Sequence, residues 1–303
     1  MNNLTTTLQS LKNGDFKTIS RCITMVENDL PGSNELLTSL DFNQKVPIIG
    51  ITGPPGAGKS SLVNALLEEL LLQNKKIGIL AVDPTSPFNL GAILGDRVRM
   101  SEHFNNPNVF IRSIATRGSL GGLSAKIIEI TDVMRNANFD LIIVETVGVG
   151  QSEIEIVGLA DVTVLVLVPE AGDEIQQLKS GVMEIADVFA INKADRPGAD
   201  IYLKNLFTLL HSNTADKKQA EIVKTIATKN EGIKQLWDAL IKKLGQQHQN
   251  FKAYLMAEKA FKLIQNERMK NINKADLKLS IEQAVMKDDF NLYSFVKAFN
   301  NQF

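Results

Sequence analysis

The chain has 303 residues, enough for one large α/β domain with additions or for two domains, and a 44% hydrophobic content supplies an ample core. Its 33 basic and 34 acidic residues leave a net charge of -1, which excludes a global field that would gather nucleic acid or an anionic membrane. The single cysteine, Cys22, excludes an intramolecular disulfide, and the opening MNNLTTTLQSLKNGDF lacks the basic-then-apolar pattern of a signal peptide, so a reducing cytoplasm is expected.

In chain order, residues 1–43 read as helical, with Leu8, Leu11, Ile19, Ile23 and Val26 as apolar anchors and Pro31-Gly32 as a breaker. Short apolar runs then alternate with longer segments of helical period, the pattern of a parallel sheet with covering helices. Strands are predicted at 46–52, 77–82, 109–114, 140–145, 162–168, 188–192 and 222–226. The expected fold class is α/β, a mostly parallel doubly wound sheet over 44–245, with helical extensions at 1–43 and 246–303. The last of these carries Phe251, Tyr254, Leu255, Phe261 and Ile264 at roughly helical spacing, then a second helical stretch at about 279–299 with a break at Asp288-Asp289. No run reaches the roughly 20 apolar residues of a membrane helix.

The strongest motif is Gly53-Pro54-Pro55-Gly56-Ala57-Gly58-Lys59-Ser60, a complete G-x-x-x-x-G-K-S between the strand VPIIGIT and the helical run that starts at Ser61. Glycines let backbone N–H groups wrap phosphate oxygens at a helix N-terminus; Lys59 then reaches the β- and γ-phosphates and the Ser60 hydroxyl binds Mg²⁺. Asn192-Lys193-Ala194-Asp195 follows at a later strand end. The Asp195 carboxylate accepts two hydrogen bonds from guanine, whereas the adenine N1 acceptor would leave it unpaired, so GTP/GDP is expected over ATP. Ile226-Ala227-Thr228 ends the next strand and offers N–H groups to the guanine carbonyl, although a serine is usual where Ile226 stands.

The run LIIVETVGVGQSE ends a strand on Glu145, the strand-end position at which nucleotide hydrolases hold the magnesium shell, with Gly148 placed to donate its N–H to the γ-phosphate. Asp83 in DPTSPF and Asp96 in GAILGDRVRM are the other magnesium candidates, and 83–99 is the expected first switch. His103, His211 and His248 have no second His or Cys at metal-ligand spacing, so no transition-metal site is expected within one chain. Trp237 falls among Ile233, Leu236 and Leu240 and reads as helix-to-sheet core.

Taken with SRCITMVEN, GAILGDRVRM, TRGSLGGLS, EAGDEIQQLKSGVMEIAD and NKADRPGAD, the order and spacing of these motifs resemble the methylmalonyl-CoA mutase-associated GTPases of the MeaB/ArgK type, over nearly the whole chain. The resemblance implies a GTPase that assists an adenosylcobalamin-dependent acyl-CoA mutase, gating delivery of the cofactor and release of damaged cofactor. It also implies that Lys59 and Ser60 match the phosphate and Mg²⁺ positions, that Asp83, Asp96 and Glu145 match the magnesium-site acids, and that Asp195 matches the guanine reader. The stretch 170–181 would match an extra switch in which Lys179 relays nucleotide state to the partner, and the C-terminal extension would carry dimer contacts. Asn89-Leu90 departs from the more usual Thr-Gly in the first switch. The competing readings are a nickel-type metal-insertion GTPase, whose His- or Cys-rich motifs this chain lacks, a P-loop kinase, and a non-catalytic nucleotide-binding scaffold.

Overall fold

The computed structural model describes residues 2–43, 46–83, 100–116, 126–148, 156, 158–170, 186–212, 220–245, 257, 260–261, 263–265, 267–286 and 290–300. Three helices come first: α1 (Asn2–Lys12), α2 (Phe16–Glu27) and α3 (Ser33–Thr38). The α2 helix starts at Asp15, whose carboxylate accepts the Thr18 N–H at 2.9 Å, and the Thr18 hydrogen bonds hold its carboxyl below the usual carboxylate range. Ile19, Cys22, Ile23 and Val26 recur at helical spacing and form the buried stripe of α2. Phe16 meets the Phe110 ring at a tilt and stacks on Phe139, with ring centroids 5.4 and 6.4 Å away, which packs α2 against the sheet layer. Arg112 adds hydrogen bonds to Thr24 Oγ1 at 3.0 Å and Glu27 Oε2 at 3.2 Å.

Seven parallel strands follow: β1 (Ile48–Thr52), β2 (Ile77–Asp83), β3 (Val109–Ala115), β4 (Leu141–Glu145), β5 (Val162–Leu167), β6 (Val188–Ile191) and β7 (Glu221–Lys224). Their order is β3-β2-β4-β1-β5-β6-β7. Every residue of β1, β2, β4, β5 and β6 is buried, as expected of strands covered on both faces. Among the described residues, α4 (Lys59–Leu72), α5 (Ile127–Arg135) and α6 (Ala199–Ser212) lie between strands, and α7 (Ile233–Leu244) follows β7. On one face, Leu62, Leu66 and Leu70 of α4 and Leu236, Trp237 and Leu240 of α7 join Ile49, Ile51, Val164 and Val188 in the main core. Trp237 also donates its indole N–H to Gln73 Oε1 at 3.3 Å, which satisfies the polar end of a core side chain. On the other face, Tyr202 and Leu206 of α6 cover Leu165, Leu167, Phe189 and Ile191.

All seven predicted strands are present, with ends that differ by a residue or two. The clearest difference is β7, which stops at Lys224 because Ile226 turns to pair antiparallel with Glu231. That strand is a sheet edge, and it is charged: Glu221 pairs with Lys242, and Lys224 with Asp200 at 2.8 Å.

Three aspartates sit just before strands. The Asp140, Asp161 and Asp187 carboxylates accept the backbone N–H of Lys76, Ile48 and Thr163 at 2.7, 2.8 and 2.9 Å. In each pair the aspartate N–H donates back to the carbonyl of the same residue, at 2.8, 2.8 and 3.0 Å.

The chain divides into two units, Met1–Leu255 and Met256–Phe303. Within the second, α8 (Lys274–Val285) is capped by Asn273, whose side chain accepts the Ala275 N–H at 2.8 Å, and α9 (Leu292–Asn300) follows. Phe295 of α9 packs near Phe290 and Phe299, with centroids 6.2 and 5.8 Å away. Among the described residues no helix is long and apolar enough to cross a membrane.

Candidate functional site

From β1 the chain proceeds to β2 and β3 on one side and later to β5, β6 and β7 on the other, so connections diverge around the carboxyl end of β1. Ligand crevices of open α/β sheets form at such a divergence. The loop 53–58 leaves β1 at this point and enters α4 at Lys59. Gly53 has φ 143, and a Cβ there would lie 2.3 Å from Val166 O, so the backbone passes too close to β5 for any side chain. Gly56 and Gly58 also have positive φ, while Pro55 and Gly56 are exposed at the loop tip and Ala57 is buried beneath it.

Lys59 is 7% exposed and folds back over its own loop, donating to Gly53 O at 2.9 Å and Pro54 O at 3.1 Å. Ser60, next in the helix, donates from Oγ to Glu145 Oε1 at 2.7 Å, and both residues are buried. This bond joins the start of α4 to the end of β4, across the β1–β4 pairing that aligns Ile51 with Glu145. A buried bond between Thr52 Oγ1 and Thr146 Oγ1 at 2.9 Å ties the ends of β1 and β4 directly, one residue beyond that pair. Gly148, φ 80, completes the cluster: a Cβ there would lie 2.3 Å from Lys59 Nζ and 2.4 Å from Gly53 O. Asp83 ends β2 two residues beyond Ala81, the residue paired with Glu145, and is 2% exposed. Ser61 lies in the first turn of α4.

The second motif is wired to the first. Asn192 donates from Nδ2 to Ala57 O at 2.9 Å, and its Oδ1 accepts the Ala227 N–H at 3.2 Å and the Thr225 hydroxyl at 3.3 Å. Lys193 takes a left-handed backbone, φ 55, that costs an L-residue roughly 1–2 kcal/mol, and donates from Nζ to Gly56 O at 2.7 Å. The loop, the Asn-Lys pair and the Ala227 turn therefore form one hydrogen-bonded frame. Asp195 stands at its rim, paired with Lys229 Nζ at 3.3 Å. The Ile226 N–H is taken by Glu231 O at 3.0 Å, and Thr228 lies in the short turn Ala227–Lys229. Arg196 pairs with Glu170 and, by hydrogen bonding to it, holds that carboxyl below the usual carboxylate range.

Of the residues singled out by sequence, Asp96 and Lys179 lie outside the described residues, as do 84–99 and 171–181 of the two expected switches. Among the rest, Gly53, Lys59, Ser60, Glu145 and Gly148 cluster around the loop and Asn192, Lys193, Asp195 and Ala227 beyond it, while Asp83 ends the strand next to β4. Thr52, Thr146, Thr225 and Lys229 were not anticipated. Thr225 is adjacent to the motif at 226–228 and was within reach of motif reading; the Asp195–Lys229 pair spans 34 residues and leaves no local signal. Chemically, the loop offers backbone N–H groups and one ammonium to a polyphosphate. Ser60, Glu145 and Asp83 are oxygen donors, the set a hard divalent cation takes.

Comparison with known proteins adds a lineage. The family description "Methylmalonyl Co-A mutase-associated GTPase MeaB" matches residues 19–281. A Pyrococcus abyssi protein described as a GTPase is 42% identical over 93% of this chain and 88% of its own length. A Geobacillus kaustophilus protein named fused isobutyryl-CoA mutase is 39% identical over 65% of this chain and 19% of its own. A crystal structure described as an LAO/AO transport system kinase aligns over 99% of this chain and 97% of that one, with a TM-score of 0.68 at 24% identity, a likeness of fold.

Proposed function

The chain belongs to the methylmalonyl-CoA mutase-associated GTPase family MeaB, and from that membership we propose that it is a Mg²⁺-dependent GTP hydrolase serving as chaperone of an adenosylcobalamin-dependent acyl-CoA mutase, methylmalonyl-CoA mutase above all. In this role it gates cofactor delivery and release. GTPase activity and guanine-nucleotide binding belong to the family; the cation, the partner and the gating are the proposal. The observation that carries it is the buried Ser60–Glu145 bond at 2.7 Å, set beside Lys59 and the Gly53–Ser60 loop. The relative named a fused isobutyryl-CoA mutase supports a mutase as partner, because its match to this chain lies within a protein that bears the mutase name.

In this reading the loop N–H groups and Lys59 hold the diphosphate, which becomes the leaving group when water attacks the γ-phosphorus in line. Ser60, Asp83, Asp96 and Glu145 would hold Mg²⁺, which when bound neutralises charge on the β- and γ-phosphates. Gly148 donates its N–H to the γ-phosphate, a role suited by a backbone with no Cβ between it and Lys59. Asp195 reads guanine, while Asn192 holds the base-side frame to the loop through Ala57 O. Val149, directly after Gly148, occupies the position at which small signalling GTPases carry a water-positioning glutamine, so intrinsic turnover is slow and the mutase accelerates it. Residues 44–245 form the GTPase domain, 1–43 and 246–303 are helical extensions, and the latter serves as a dimerisation arm of a cytoplasmic homodimer.

The test is capture of purified adenosylcobalamin-dependent acyl-CoA mutases by the full chain, with and without a non-hydrolysable GTP analogue, combined with phosphate release in the presence of each mutase. A complex that depends on the analogue and speeds release is expected. Equal turnover with and without every mutase, and no complex, would reject the partner while leaving the hydrolase intact.

A further inference from the structure

Away from the nucleotide loop, α4 carries a second polar cluster. Glu68 lies eight residues beyond Ser60 in the helix, about 12 Å along its axis. Facing it are Glu102 and His103 of the short turn Ser101–His103. One ligand atom from each of Glu68, Glu102 and His103 falls within 4.8 Å of the other two. We propose that these three side chains form a site for a divalent transition metal, with Zn²⁺ the best fit, separate from the magnesium position of the nucleotide loop.

Four observations carry it. The two carboxylates are drawn together by one amide: Asn64 Nδ2 donates to Glu68 Oε1 and to Glu102 Oε1, each at 3.1 Å. Among the described residues neither carboxylate has a lysine or arginine ion-pair partner, so beyond the His103 imidazole itself no basic side chain offsets their mutual repulsion. The imidazole Nε2 of His103 is buried and makes no hydrogen bond among the described residues, an arrangement that costs free energy unless something occupies its lone pair or proton. It stands 3.6 Å from Glu102 Oε1, too long for a hydrogen bond and close to the roughly 3.3 Å that separates two ligands on a tetrahedral zinc with bonds of about 2.0–2.1 Å.

The surroundings are those of a built metal site. Asn230 donates from Nδ2 to Glu68 Oε2 at 2.7 Å, so Glu68 is oriented by amides from two elements, and Asn64 Oδ1 is buried without a donor among the described residues. The Glu102 side chain is 63% exposed, which gives an ion a path in and leaves a position for water. Imidazole with two carboxylates favours Zn²⁺, Co²⁺ or Ni²⁺ over Mg²⁺, which prefers oxygen alone and keeps its waters. Occupancy would bridge α4 to the turn at Ser101–His103, and Asn230 would extend the tie to the turn that follows Ala227–Lys229.

The experiment uses the full chain with GDP and excess Mg²⁺, so that the nucleotide site is already supplied, and titrates Zn²⁺ by calorimetry and Co²⁺ by visible absorption. One equivalent of Zn²⁺ is expected, with a tetrahedral Co²⁺ spectrum. His103→Gln and Glu68→Gln should each weaken binding at least tenfold, with GDP binding unchanged as the check on folding, while a His211→Gln control binds as the parent does. No Zn²⁺ bound by the parent chain, unchanged affinity in both variants, or loss confined to the His211 control would overturn the site. None of these outcomes bears on GTP hydrolysis, so the mutase-chaperone reading stands or falls separately.

Discussion

Replacing Glu145 by glutamine separates the charge of this side chain from its shape. The carboxylate is 2% exposed, and its Oε1 accepts from Ser60 Oγ at 2.7 Å. Glutamine is nearly isosteric and keeps an acceptor at that position, so the bond survives as a neutral one. Hydrogen bonds to charged groups contribute about 1.5–3 kcal/mol and neutral ones about 0.5–1.5, so the fold loses about 1 kcal/mol. For a unit of this size that lowers the melting temperature by roughly 2–4 °C. On the proposed assignment of Glu145 to the cation shell, the chemical step should lose far more, because the negative charge offered to the cation is gone. Removal of one preorganised electrostatic group costs about 10²–10³ in kcat, or roughly 2.7–4 kcal/mol. GDP affinity in chelator, where no cation is engaged, should stay within about fivefold, the equivalent of 1 kcal/mol. Single-turnover phosphate release, titration with a fluorescent GDP analogue and thermal unfolding read the three quantities side by side. Equal losses in hydrolysis and in cation-free GDP affinity would show Glu145 to be a cap on the strand and would refute its assignment to the cation shell.

Three further outcomes concern the base-side rim and the buried thiol of α2. Asp195→Ala should weaken GDP binding by about 100-fold through the loss of two charge-assisted bonds to the base, whereas Lys229→Ala should cost at most about fivefold, because both partners of that pair are half exposed; equal effects in a GDP titration with ADP as competitor would reject Asp195 as the reader. Burial pushes the Cys22 thiol up to about 11, so it stays protonated in the folded chain at pH 8 and alkylation should be slow until denaturant is added. The same shift has a sign for stability. The folded state keeps a proton that the unfolded state releases near pH 9, so this contribution is complete below pH 9 and is lost as pH rises towards 11, and Cys22→Ala should flatten melting temperature against pH across that window.

Much of the fold could be read in advance because central strands covered on both faces appear as uninterrupted apolar runs, and the shortness and β-branched content of LIIVE and VTVLVL favour strand over buried helix. The phosphate loop was legible for a different reason: its residues are contiguous, and strand, glycines, lysine and helix follow in an order that only that loop uses. What escaped was built from separated segments. Ile226 shortens β7 by pairing with Glu231 across a turn that propensity does not disclose. Thr52 and Thr146 meet only because β1 and β4 are neighbours although two strands intervene in the chain. Glu68, Glu102 and His103 carry no motif spacing, so sequence reading placed no metal there; only packing of α4 against the turn at Ser101–His103 brings them together.

The three aspartates before β4, β5 and β6 answer a question that the apolar strands raise. A strand exposed on one face is held in alignment by its alternation, since a slip of one residue turns its apolar side to water. Strands buried on both faces have no such penalty, and IIGIT or VTVLVL shifted by one position would still present apolar groups above and below. Asp140, Asp161 and Asp187 supply the missing index. Each exchanges two hydrogen bonds with one particular residue at the start of a neighbouring strand, and a slip would leave a carboxylate and a backbone N–H without their partners. Because all three act at the amino ends of strands, alignment is set at the edge of the sheet opposite the nucleotide loop, and the residues at the carboxyl ends are free to be chosen for chemistry.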